Sequence, residues 1–145
     1  YYTERFVDVG WCENEVFPGI EDFLKEQKEK GRELYVATSK PGPLAEKILK
    51  HFDLLQYFTF IGGDTMEHTR SSKAEIIRYI IRNTGITDTD RIVMIGDRKF
   101  DVAGAKSVGL DSIGVLYGYG SKQEMEEYAP TYLVETIGDL KSLFS

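Results

Sequence analysis

The sequence predicts an α/β fold, a Rossmann-like parallel sheet with helices on both faces. Short apolar runs alternate with amphipathic stretches along the 145 residues. The candidate strands are continuous apolar runs, which is typical of parallel strands buried on both faces. Helix-capping residues and glycines separate these runs, and the length suits one domain with a substantial core.

The first half of the chain supplies a helix, a strand, a helix and a strand. The first predicted helix covers residues 19–30, where Ile20 and Phe23 share one face. A buried strand follows at residues 33–38, and a second helix is expected over residues 43–51. The next apolar run predicts a strand at residues 57–61 that ends at the two glycines after it.

The second half begins with the clearest helix start in the sequence. Ser72 and Glu75 have the spacing of a capping box, and Gly85 suits the end of that helix. Residues 91–96 form the most distinct strand. The remaining predicted elements, in chain order, are a helix at 102–108, a strand at 112–116, a short acidic helix opened by Ser121, a brief strand at 132–134 and a final helix containing Leu140 and Leu143.

Composition and charge exclude some function classes. The net charge is −6 and no Lys/Arg cluster stands out, so we expect no nucleic-acid partner. No apolar run has the length of a membrane span, so no membrane partner is expected either. Cys12 is the only cysteine, and a cytoplasmic location is the simplest expectation.

Polar residues gather where the predicted strands end. The first of these strands leads to Thr38, Ser39 and Lys40, and the one at 91–96 leads to Asp97 and Asp101. Lys73 lies at a helix start after the second strand. In doubly wound folds the carboxyl ends of the strands share one edge, where ligands bind. Hydroxyls and lysines suit a phosphate group, and carboxylates suit Mg²⁺.

Four segments carry a more specific resemblance. In chain order they are Phe17-Pro18-Gly19-Ile20, Val36-Ala37-Thr38-Ser39-Lys40-Pro41, Lys73-Ala74-Glu75-Ile76-Ile77 and the run from Met94-Ile95-Gly96-Asp97 through Asp101 to Lys106. These resemble the later motifs of the haloacid dehalogenase superfamily, and most of all its phosphoglycolate-phosphatase-like branch with a small helical cap. The resemblance extends over nearly the whole chain.

The resemblance implies a role for each matching residue. Thr38 would bond a phosphate oxygen through its hydroxyl, and Ser39 would help through its backbone amide. Lys73 would pair with the phosphate and with the nucleophilic carboxylate. Asp97 would coordinate Mg²⁺ directly, and Asp101 would act through a metal-bound water or from the second shell.

Simpler explanations exist for several of these residues. Thr38 could be a helix N-cap, and Asp101 could cap the helix that follows it. Lys73 could be a solvated lysine, with Lys40 taking the phosphate instead. Asp64 follows two glycines and could form a turn or lie near the metal.

The nucleophile motif of this family, Asp-x-Asp after an apolar strand, is not found in the sequence. Asp8 comes nearest, but Gly10 stands at the second acidic position, and Asp88 and Asp90 precede a strand instead of ending one. We therefore expect residues 1–14 to be the end of a helical cap and its return linker. Residues 15–145 would then be a core that lacks its first strand and is incomplete at the N-terminus. The resemblance implies that this strand lies in the middle of the sheet, between the strands at residues 34–38 and 92–96, so its absence would expose two strand edges.

The resemblance implies a magnesium-dependent phosphomonoester hydrolase acting on a small phosphorylated metabolite, with 2-phosphoglycolate as one candidate substrate. Its reaction would pass through an aspartyl-phosphate. The nucleophile would come from a missing N-terminal segment of the same protein, so the chain alone would be inactive and would fold well only with that segment. The alternatives are a 5′-nucleotidase of the same superfamily, a phosphosugar mutase, or a non-catalytic module that binds phosphate and magnesium.

Overall fold

One six-stranded sheet organises the chain, in the order β3-β2-β1-β4-β5-β6 with every neighbouring pair parallel. The structure is a computed structural model that describes residues 4–7, 20–67, 72–96, 99–115 and 122–143. The strands are β1 Glu4–Val7, β2 Glu33–Pro41, β3 Phe60–Asp64, β4 Ile92–Gly96, β5 Asp111–Val115 and β6 Tyr132–Val134. The helices are α1 Ile20–Glu29, α2 Gly42–His51, α3 Lys73–Thr84, α4 Lys99–Val108, α5 Lys122–Tyr128 and α6 Ile137–Leu143. The predicted parallel α/β architecture is confirmed.

Helices cover both faces of the sheet, so the core has two halves. On one face, residues such as Val36 and Ile95 pack with Leu24 of α1 and Leu140 of α6. The other half is built from alternate strand residues packed against α3 and α4. Its buried members include Tyr35, Met94, Ile76, Ile80 and Ala105. The alternation follows from the two-residue period of a strand, and it shows why the strands need apolar residues at every position.

The position of strand β1 differs from what the sequence analysis expects for residues 1–14. Glu4–Val7 lies in the middle of the sheet, hydrogen-bonded to β2 on one side and to β4 on the other. This is the position that the core was expected to lack, so residues 4–7 are not part of a helical cap. The physical reason is visible in the packing: Phe6 is buried in one half of the core and Val7 in the other. An empty position would instead expose two strand edges and the apolar surface beside them. The other residues of 1–14 lie outside the described part of the chain.

Strand β3 also differs from its predicted bounds. It begins three residues later than expected and continues through Gly62 and Gly63 to Asp64. A Cβ on Gly62 would lie 2.3 Å from the Ile80 side chain, and one on Gly63 would lie 2.6 Å from the Lys40 carbonyl oxygen. The two glycines therefore allow close packing within the strand; they do not end it.

The helix ends follow the sequence signals. The Ser72 hydroxyl accepts a hydrogen bond from the Glu75 amide at 3.2 Å, as the capping box predicts. Gly31, Gly85 and Gly109 follow α1, α3 and α4, and each has a positive φ. Helix α4 starts three residues earlier than predicted, which places Asp101 in its first turn. None of the described helices is long and apolar enough to cross a membrane.

Candidate active site

A buried ion pair lies at the carboxyl edge of the sheet. The Nζ atom of Lys73 is 2.9 Å from Oδ1 of Asp101, and the two side chains are 4% and 1% exposed. The same Nζ donates a hydrogen bond to the Ala37 carbonyl oxygen at 3.1 Å. Helix α3 supplies the lysine, α4 the aspartate and β2 the carbonyl. These contacts fix the position of the Lys73 ammonium group between three elements.

Close packing between strand β4 and helix α4 holds the Asp101 carboxylate. A Cβ on Gly96, the last residue of β4, would lie 2.2 Å from Oδ2 of Asp101. Only glycine leaves room for that carboxylate against the strand end. Helices α3 and α4 also meet closely, since a Cβ on Gly104 would lie 2.7 Å from Cβ of Lys73.

Thr38 lies one residue beyond the carbonyl that Lys73 binds. It is 1% exposed, and its Oγ1 accepts a hydrogen bond from the Lys40 backbone amide at 3.2 Å. Accepting that bond leaves the hydroxyl proton to be donated elsewhere. Strand β2 continues to Pro41, which is the N-cap of α2 and has no side-chain cap. Thr38 is therefore not the N-cap of that helix.

Ser39 and Asp64 occupy different surroundings. Ser39 is exposed and faces a cleft, whereas Asp64 is 2% exposed at the end of β3. The Asp64 carboxylate accepts a hydrogen bond from the Thr65 amide at 2.8 Å. The close approach of Gly63 to the Lys40 carbonyl and the Gly42 amide places the end of β3 against the junction between β2 and α2.

The structure brings three of the five predicted site residues to this edge: Lys73, Asp101 and Thr38. Ser39 lies on the exposed side of the same edge, and Asp97 lies outside the described residues. Asp101 is not the N-cap residue of α4, because it lies in the first turn inside that helix, where it pairs with Lys73.

Asp101 is a described residue at this edge that could contribute to holding a magnesium ion. Asp101 offers hard carboxylate oxygens, the ligand type that Mg²⁺ takes. One of these oxygens is already paired with Lys73, which suits an indirect contact better than direct coordination. Within the described ranges, no three His, Cys, Asp or Glu side chains form a cluster that could hold a metal.

A cleft of about 460 Å³ opens beside Lys73, between the start of α3 and one face of α4. Ser39, Ser72 and Lys73 line one end of it, and Phe100, Ala103 and Gly104 lie along its side. Phe100 is 56% exposed, as one of several large apolar side chains on the described surface.

Sequence reasoning missed two features of this site. The Ala37 carbonyl cannot be identified from a side-chain pattern, because it is a backbone group. The cleft does have a signal, since Phe100, Ala103, Gly104 and Ser107 recur at the spacing of one helix face. Small residues on such a face indicate either close helix packing or an open groove, and only the tertiary structure distinguishes the two.

Comparisons with known proteins identify the family of this chain. Residues 1–115 match the haloacid dehalogenase-like hydrolase family. The chain belongs to this family. Over 143 residues it is 39% identical to a 5′-nucleotidase of Pseudomonas aeruginosa, covering 99% of this chain and 64% of that protein.

More distant relatives carry other names. The tyrosine-protein kinase PtkA of Mycobacterium tuberculosis is 35% identical, over 97% of this chain and 48% of that protein. Phosphoglycolate phosphatase 1 of Pseudomonas aeruginosa is 33% identical, over 87% of this chain and 46% of that protein. The chain thus spans about half to two thirds of the length of these relatives.

Solved structures show the same fold. A crystal structure described as a "predicted phosphatase" from Clostridium acetobutylicum is 40% identical and superposes with a TM-score of 0.87. That comparison covers 90% of this chain and 60% of the other.

Proposed function

We propose that this chain is part of a magnesium-dependent phosphatase that hydrolyses small phosphomonoesters. The observation that carries the proposal is the buried Lys73–Asp101 pair next to Thr38, at the carboxyl edge of a parallel sheet in a chain of this family. A fixed cation beside a hydroxyl is suited to a phosphate dianion, because it neutralises charge on the transferring phosphoryl group.

Each site residue has a proposed role. Lys73 pairs with the phosphate. The Thr38 hydroxyl donates a hydrogen bond to a phosphate oxygen, and the Ser39 backbone amide donates a second hydrogen bond to the phosphate. Lys73 is a better candidate than Lys40 because its ammonium group is buried and fixed by two oxygens. Asp97 would bind Mg²⁺ directly and Asp101 through water, and the bound ion would supply Lewis-acid charge neutralisation.

The nucleophile is not among the site residues that the structure describes. The family reaction forms an aspartyl-phosphate on an Asp-x-Asp motif, and this sequence has no such motif at a strand end. We propose that a segment of the same protein outside this sequence supplies it. The chain spans 64% of the length of its nucleotidase relative, which supports this proposal. Asp8 is the alternative, because it directly follows β1 in the sequence.

A turnover assay tests these roles. The chain is assayed with Mg²⁺ and an aryl phosphate, alone and joined to the rest of its protein, with Asp97→Asn and Asp8→Asn in both forms. We expect turnover only in the joined form, abolished by Asp97→Asn and unchanged by Asp8→Asn. Turnover by the chain alone that Asp8→Asn removes would assign the nucleophile to Asp8. Turnover that is insensitive to both Asp97→Asn and Lys73→Met would refute the proposed site.

The relatives leave two substrate classes. Similarity to the 5′-nucleotidase supports nucleoside 5′-monophosphates as substrates, and similarity to the phosphoglycolate phosphatase supports 2-phosphoglycolate. A substrate panel with the joined protein separates them, since activity confined to nucleotides would exclude 2-phosphoglycolate. A non-catalytic module would instead bind phosphate and Mg²⁺ tightly with no turnover in either form.

A further inference from the structure

Asp101 lies in the first turn of α4, a part of the helix that the helix's own hydrogen bonds do not fully hold. The helix begins at Lys99, and Asp101 is its third residue. The first backbone N–H groups of a helix have no partners within the helix, so a first turn frays unless another group holds it. The ion pair between Lys73 and Asp101 therefore depends on contacts that keep this turn in place.

A side chain of α5 binds the first backbone amide of α4. The Lys99 N–H donates a hydrogen bond to Oε2 of Glu124 at 3.0 Å, and the two residues are 25 positions apart. The Glu124 side chain is partly buried. A carboxylate is well suited to this position, because the N-terminal end of a helix carries partial positive charge and a charged acceptor forms the stronger hydrogen bond.

The Lys99 side chain makes a second contact with α5. Its Nζ atom lies 6.0 Å from the ring centroid of Tyr128 and 5.5 Å from that of Phe100, within the range of a cation–π interaction. Glu124 and Tyr128 are four residues apart, so they lie on the same face of α5. This face of α5 therefore contacts both the backbone and the side chain of the first residue in α4.

The Asp101 carboxylate has little freedom to follow a movement of its helix. Its Oδ1 atom is 2.9 Å from Nζ of Lys73, and its Oδ2 atom lies where a Cβ on Gly96 would be only 2.2 Å away. A shift of the first turn of α4 would either lengthen the contact with Lys73 or press the carboxylate against the end of β4. The geometry of the pair thus depends on where α4 begins.

We infer that Glu124 is a positioning residue for the proposed active site. By holding the first residue of α4, its carboxylate keeps Asp101 paired with Lys73 and keeps the lysine ammonium group where a phosphate would bind. Glu124 acts through the Lys99 backbone and not by contact with the substrate. The inference rests on the proposed function, because Lys73 must bind the phosphate for its position to matter.

Binding of inorganic phosphate tests the inference without turnover. Isothermal titration of the joined protein with phosphate, in the presence of Mg²⁺, compares the parent with Glu124→Ala and Glu124→Gln. We expect Glu124→Ala to weaken phosphate binding about tenfold, as does the loss of an outer partner that orients a metal ligand. Glu124→Gln keeps an oxygen that can accept the Lys99 hydrogen bond, so its loss should be smaller.

A double-mutant comparison shows whether the effect passes through Asp101. When Asp101→Asn is already present, Glu124→Ala should cause little further loss of phosphate affinity, because the pair that it positions is broken. Destabilisation of the whole fold would instead add to the loss. Glu127→Ala is the matched control, since it removes the same charge from an exposed position of α5 and should leave the affinity unchanged.

The outcomes distinguish this inference from the proposed function. Parent affinity in both Glu124 variants, an equal loss in Glu127→Ala, or additive losses with Asp101→Asn would each overturn the inference while the phosphate site stands. If Glu124→Ala does not fold, Glu124→Gln decides in the same way, alone and combined with Asp101→Asn. If inorganic phosphate does not bind the parent, or binds Lys73→Met equally well, the proposed function fails and the inference with it.

Discussion

Individual residues at the sheet edge are fixed by contacts that come from distant parts of the chain. Lys73 and Asp101 are 28 positions apart, yet they form a buried pair. Burying two charges costs several kcal/mol per ion, and their mutual attraction recovers this only when both partners are present. Removing one partner is therefore more costly than removing both.

A double-mutant cycle on this pair tests that expectation. We expect Lys73→Met and Asp101→Asn each to lower the free energy of unfolding by about 3–5 kcal/mol, and the double variant to lose much less than the sum. Urea denaturation measures all four proteins. The Lys30–Glu26 pair, at 36% and 38% exposure, is the control and should show a coupling of about 0.5 kcal/mol or less. Additive losses for the buried pair would contradict the ion-pair geometry.

Gly96 provides a second prediction at this scale. Gly96→Ala places a methyl group where the Asp101 carboxylate lies, so either the carboxylate or the strand end must shift. We expect a loss of about 1–3 kcal/mol in urea denaturation, together with weaker phosphate binding. Gly42→Ala is the matched control, because a Cβ there meets nothing within 4 Å. Equal stabilities for the two variants would show that the contact at Gly96 can relax without cost.

Among the elements, strand β1 joins the two sides of the sheet, because it pairs with β2 and with β4. It has only four residues, but it separates β2 from β4 and sends one side chain into each half of the core. The Phe6 ring is fully buried and packs edge-on against Tyr35, with 5.3 Å between centroids.

Truncation of Phe6 measures what β1 contributes. We expect Phe6→Ala to lower the free energy of unfolding by about 3–5 kcal/mol, because it leaves a cavity between the sheet and α3. Phe100→Ala removes the same atoms from an exposed site and should change stability by about 0.5 kcal/mol or less. If both variants unfold at the same urea concentration, β1 does not occupy the centre of the sheet.

At the scale of the whole molecule, the two halves of the core share one sheet and should unfold together. A gap between β2 and β4 was the reason to expect poor folding of the chain alone, and β1 occupies that position. We therefore expect a single thermal transition in which circular dichroism and tyrosine fluorescence coincide. Separate transitions by the two probes, or a gradual melt, would show that the chain needs a further segment to complete its core.

The sequence by itself determined the fold class and the order of elements from α1 onward, and it predicted which polar residues lie at the carboxyl edge of the sheet. Each of these depends on local signals: capping boxes, terminal glycines and apolar runs set the elements, and parallel strands bring their polar ends to one edge. Thr38, Lys73 and Asp101 are predicted to lie at that edge for this reason. The tertiary structure alone decided which lysine is buried against Asp101, which strand lies at the sheet centre, and why Gly62 and Gly63 belong inside a strand. It also showed that the small residues on one face of α4 line a cleft beside Phe100. These features depend on close contacts between segments far apart in the chain, and such contacts leave no periodic pattern in the sequence.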